Sequence, residues 1–147
     1  MSRAGRWILS MLLWFWGGTV YFLLEVAYKT ATGKPEMISW TMLVLAVLLT
    51  IPVERCGEQL PWAVPLWLQA LCCAVLVTAV ELVAGLILNV WLGLGVWDYA
   101  GLPGNFMGQI CPQFAVIWWG LCLVFIPAFD WMRWSVEGGE RPHYKII

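Results

Sequence analysis

The chain is 147 residues long, 62% hydrophobic and 12% charged, with a net charge of -1. Soluble domains are roughly half apolar and about a quarter charged, so this balance excludes a disordered segment, a nucleic-acid-binding module and an ordinary soluble globule. A mean hydropathy of +0.80 and twelve tryptophans point to an all-α integral membrane protein, because Trp favours the membrane–water interfaces, where ring and N–H are both satisfied.

A helix needs about 20 apolar residues to cross roughly 30 Å of hydrocarbon, and the chain holds four such runs in a single membrane domain, 1–147. The first spans about 7–28 and is closed by the polar stretch Lys29 to Glu36. It is longer than a signal-peptide core and lacks an A-x-A site, which predicts a retained anchor. The second spans about 38–53, short enough to stand upright or to borrow flanking residues. A hydrophilic turn, Glu54 to Gln59, separates it from a long third span, 65–92, which is expected to tilt or protrude.

The segment from Gly93 to Pro112 carries five glycines, two prolines and one charge, Asp98. It is too broken for a helix and too apolar for an aqueous loop. Irregular backbone at membrane depth survives only where protein or a wet cavity satisfies its polar groups, so a re-entrant or interfacial loop is predicted between helices 3 and 4. The fourth span, 112–134, starts at Pro112, a residue suited to a first helical turn, and contains Pro127 as an expected kink. The tail, 135–147, is polar and expected to be poorly ordered, with Asp130 and Arg133 paired at the membrane edge.

Four spans put both termini on one side. That side collects Arg3, Arg6, Arg55, Arg133, Arg141 and Lys145, against Lys29 and Lys34 opposite. Positively charged flanks stay in the cytoplasm, so both termini are expected there. Trp7, Trp62, Trp67, Trp131 and Trp134 fall at the inner ends and Trp40, Trp91 and Trp97 at the outer ends. Trp14, Trp16, Trp118 and Trp119 lie deeper, and are expected to fill helix interfaces or face lipid.

A charge inside a span costs at least about 2.5 kcal/mol on insertion scales, which makes Glu25 and Glu81 the candidate functional residues. Glu81 has no Lys or Arg on its own helix, while Gly85 and Asn89 extend a small, polar stripe from it. The stripe suits either a polar path or a protonated glutamate bonded to a neighbouring helix. Glu25 precedes Lys29 by four residues, the favourable order for a helical ion pair. The loop adds Asp98, Asn105 and Gln109. The five cysteines form no C-x-x-C pair and the lone His143 lies in the tail, so no disulfide framework, metal site or cofactor is expected.

The order Glu81, Gly85, Asn89, then Trp97-Asp98-Tyr99, Pro103, Asn105, Gly108-Gln109-Ile110-Cys111 and Trp118 resembles the C-terminal part of the ABC transporter permease family of small bacterial membrane proteins, the CmpB-like or ABC-transporter type IV group. Near the N-terminus, Gly17-Gly18 to Glu25 is similar to the family's glycine, aromatic and glutamate pattern, but Thr32-Gly33-Lys34-Pro35-Glu36 stands where an R-G-F-L-x-G-P-type motif is expected. The resemblance implies transport, a bacterial inner membrane location and a joint role for Glu81, Asn89, Asp98 and Asn105. The chain itself has no ATP-binding P-loop.

Two function classes follow. One is a channel or transporter subunit, homo-oligomeric or joined to a partner membrane or soluble subunit, with a polar path along Glu81, Asn89, Glu25 and the Asp98 loop. The other is a non-conducting scaffold or assembly protein binding lipid or a partner membrane protein. An enzyme using Glu81 and Asp98 as an acid/base pair is not expected, since no activated Ser, Cys–His pair or metal set accompanies them.

Overall fold

A computed structural model describes residues Met1–Ile147. Four helices make up the molecule: α1 Arg3–Ala31, α2 Trp40–Gln59, α3 Leu66–Gly85 and α4 Pro112–Glu137. All four are long and apolar enough to cross a membrane. Ser2 caps α1 by accepting from the Gly5 amide at 3.0 Å, and Ser39 caps α2 by accepting from the Thr41 amide at 3.3 Å. Pro52 and Pro127 lie inside α2 and α4.

The helices form an open rhombus. Helices α2 and α4 lie across its short diagonal, each packed on the other three, whereas α1 and α3 do not touch. The tightest seam is α1 on α2, where Gly18 sits against the Val47 backbone so closely that a Cβ would lie 2.6 Å from the Val47 Cα. Leu45, Leu49, Val77, Cys122, Ile126 and Phe129 fill the centre. The central cavity holds about 20 Å³ and is lined by apolar and aromatic groups with the exception of Thr50, so the middle of a single copy offers no polar opening. Elsewhere the helices turn Leu, Ile, Val and Phe outward, as a lipid-facing surface requires.

Three features depart from the sequence expectations. Helix α2 runs through the stretch expected to be a hydrophilic turn and ends at Gln59, because Glu54 and Glu58 find partners on neighbouring helices and do not need water. The third span is α-helical only to Gly85, then widens into a π-helical turn, Leu86–Trp91, the kind of irregularity that re-aims side chains. The tail is not loose: the Leu66 amide donates to the Lys145 carbonyl at 2.9 Å, the Tyr144 hydroxyl to Asp130 at 2.7 Å, and Arg141 covers the Trp131 ring. Burial, then the bond to Asp130, holds the Tyr144 phenol above its ordinary range, so it remains a donor.

Candidate functional site

Two buried carboxylate centres lie at opposite ends of the bundle. The one at the end that carries the glycine-rich loop, called outer for that loop and the other inner, is built on α3, where Glu81 is buried with both oxygens occupied: the Trp118 indole of α4 donates at 3.0 Å and the Tyr99 hydroxyl at 3.1 Å. Burial first, and the charge of Glu81 second, hold the Tyr99 phenol above its ordinary value and keep it a donor. Tyr21 of α1 stacks on Trp118 at 4.7 Å and donates to Glu25 at 2.5 Å. Glu25 in turn lies 3.8 Å from the Lys29 ammonium. Lys29 is buried rather than snorkelling outward, and donates to the carbonyls of Met37 and Val96, both at 3.1 Å. A relay of side chains therefore links Lys29, Glu25, Tyr21, Trp118, Glu81 and Tyr99.

The glycine-rich loop seals this end. Asn89, carried by the π-helical turn, accepts from the Val96 amide at 2.7 Å and donates to the Gln109 side chain at 2.9 Å. The Trp97 indole donates to the Gln109 carbonyl at 2.9 Å. Asn105 donates to the carbonyls of Leu102 and Ala100 and accepts from the Gly108 amide. Asp98 is exposed and accepts from the Ala100 amide at 2.8 Å, a local turn. Gly108 has φ +72, and a Cβ there would lie 3.2 Å from the Asp98 carboxylate, so that position favours glycine twice over.

The six sequence candidates thus fall into separate groups. Glu81 meets Tyr99 and Trp118, Asn89 meets Gln109, Asp98 and Asn105 hold the loop, and Glu25 joins through Tyr21. Asp98 does not pair with Glu81. The tyrosines and Trp118, which complete the relay, carried no charge signal in the sequence.

The inner centre was missed altogether. Glu54 is buried on α2 and forms an ion pair with Arg133 of α4. Ser10 of α1 donates to Glu54 at 3.3 Å and accepts from Arg133 at 2.7 Å. The Trp14 indole donates to the second Glu54 oxygen at 3.0 Å. Arg133 also reaches Glu58 at 2.8 Å and Glu137 at 3.0 Å. It does not pair with Asp130, as its spacing suggested, because three other acids surround it and Asp130 is taken by Tyr144. Two of the deep tryptophans therefore serve as carboxylate donors. Of the others, Trp16 packs edge-on against Phe125 and Phe129, and Trp119 donates to the Trp67 carbonyl at 3.0 Å. The signal that could have found Glu54 is the second apolar run, too short to cross unless the helix continues past it.

No curated protein and no solved structure matches the chain. A family model described as "Putative ABC-transporter type IV" matches residues 12–136. The match takes in most of α1 and all of α2 as well as the C-terminal segment that carried the motif resemblance, and so includes Glu25, Glu81, Glu54 and Arg133 but not Ser10 or Glu137. The chain belongs to this ABC-transporter type IV family of multi-pass membrane proteins.

Proposed function

We propose that the chain is a transport subunit that works as an oligomer or with a partner subunit, and that Glu25 and Glu81 bind the proton or monovalent cation of its polar path. The observation that carries this reading is charge balance. In the outer centre two carboxylates share one cation, Lys29, which lies beside Glu25, while Glu81 is met only by neutral donors. A membrane interior tolerates an unbalanced carboxylate poorly, so a proton or a cation accompanies the pair. Helices α1 and α4 meet through side chains such as Tyr21 on Trp118, and beside that contact an opening of about 150 Å³ between them is lined by Tyr21, Glu25, Tyr28, Phe114, Ile117 and Trp118. With a dry centre in each copy, the path runs along this open seam, where a second copy or a partner completes its wall. The excess of Lys and Arg on the side of the termini supports a topology with both termini in the cytoplasm and the loop outside, in a bacterial inner membrane.

Purified protein in liposomes carrying a pH-sensitive dye tests this. Proton or potassium flux is expected in the wild type and falls to the empty-liposome level in Glu81→Gln, while unchanged flux in that variant removes Glu81 from the mechanism. A second reading, a non-conducting scaffold, draws support from the saturation of Glu81, Asn89 and Asn105 by internal hydrogen bonds. Under that reading the wild type shows no flux and holds a partner membrane protein at fixed stoichiometry.

A further inference from the structure

The core-facing stripe of α1 changes chemistry along its length. Around the middle it buries Leu13, Gly17, Gly18 and Tyr21 against the bundle. In its first turns the same stripe carries Arg3, Arg6 and Ser10, and there the helices part around a cavity of about 240 Å³ at the end that bears both termini. Trp7 of α1, Arg55 and Glu58 of α2 and Arg133 of α4 complete the lining.

Four arginines therefore face one lining acid, Glu58, which Arg133 already holds at 2.8 Å. Arg133 is fully engaged by Glu54, Glu58 and Glu137. Arg55 has only a long contact to Glu54, 3.9 Å, and lies over the Trp7 ring at 4.8 Å. Arg3 and Arg6 make no ion pair. The cavity is thus a concave cationic site in which Arg3 and Arg6 have no ion pair and Arg55 only a long one. Guanidinium forks match phosphate oxygens in a bidentate way. The first turn of α1 carries no acid, so its amide dipoles add to the attraction. The opposite face of the same turns exposes Ile8, Met11, Leu12 and Phe15, which seats this end of α1 in the bilayer.

We propose that this cavity binds a phosphate group, carried by the headgroup of an anionic phospholipid or free in solution, through Arg3, Arg6 and Arg55. The test is native mass spectrometry of the full chain released from detergent micelles holding equal amounts of phosphatidylglycerol and phosphatidylcholine. The wild type is expected to retain phosphatidylglycerol in preference by about tenfold or more, and Arg3→Gln/Arg6→Gln to bring that preference close to parity. Lys34→Gln/Lys145→Gln, which removes the same charge away from the cavity, keeps the preference. Where Arg3→Gln/Arg6→Gln does not fold, Arg55→Gln replaces it. Excess inorganic phosphate that displaces the lipid identifies a general phosphate site, and failure to displace it identifies the lipid headgroup as the source. The proposal is overturned by a wild type that prefers neither phosphatidylglycerol nor phosphate, by cavity variants that bind as the wild type does, or by equal loss in the Lys34/Lys145 control.

Discussion

Glu54 and Glu81 each accept a 3.0 Å hydrogen bond from a tryptophan on another helix, Trp14 and Trp118. Only Glu54 has an arginine beside it. The inner centre is therefore a charge-compensated clamp joining α1, α2 and α4 through Ser10, Glu54 and Arg133. The outer centre is a carboxylate among neutral donors, next to an opening between α1 and α4. The difference teaches that burial alone does not mark a functional acid. A buried carboxylate with its own counter-charge holds helices together, whereas one without it must take a proton or a cation from elsewhere.

The largest expected effect comes from removing that counter-charge. Arg133→Met strands Glu54 in an apolar setting and should cost about 3–5 kcal/mol in reversible unfolding from detergent. Glu54→Leu/Arg133→Met should recover most of the loss, because the one fully buried carboxylate goes with its partner while Glu58 and Glu137 are left partly exposed to water. If Arg133→Met costs no more than Glu81→Gln does, the contrast between the two centres is broken.

Next comes the seam beneath them. Gly18→Ala drives a Cβ into the Val47 backbone at 2.6 Å, whereas Gly85→Ala meets side chains only, the Gln109 amide oxygen at 2.5 Å and the Trp97 ring at 3.0 Å. The first is expected to cost about 1–3 kcal/mol and the second clearly less, compared by thermal unfolding of the two variants side by side.

Asn89→Ala removes the partner of both the Val96 amide and the Gln109 side chain. A cost of about 1–3 kcal/mol should be confined to the outer loop. Hydrogen exchange at Val96 should accelerate while amides near Glu54 stay protected; acceleration at both ends would show that the two centres are not independent. The smallest effect belongs to Glu81→Gln, which keeps the shape and loses no ion pair. Its stability should change by less than about 1 kcal/mol, leaving flux as the quantity that moves.

Much of the outer centre was legible in the residue order. Glu81, Gly85 and Asn89 share a helical stripe, and the run Gly93 to Pro112 advertised irregular backbone that must satisfy itself. The sequence did not reveal that Asn89, Asn105 and Gln109 spend their hydrogen bonds on the loop, because apart from the Asn89–Gln109 bond the partners are backbone groups set by the turn geometry. Glu54 and Arg133 looked like aqueous flanks for a plain reason. Charges at the end of an apolar run read as exposed unless their partners, 44 and 79 residues away for Glu54, are known.

By itself the sequence determined that the chain is a four-helix membrane protein with both termini at one end, since span length and apolar share follow from the thickness and low polarity of a bilayer. It also singled out Glu25 and Glu81, because a charge within an apolar run is conspicuous without any structure. Only the tertiary structure decided which carboxylate is compensated. Compensation is a distance between helices, and the ion pair of Glu54 with Arg133, the Tyr21–Trp118 stack and the cationic cavity around Arg3, Arg6 and Arg55 arise when packing brings together residues that the chain keeps far apart.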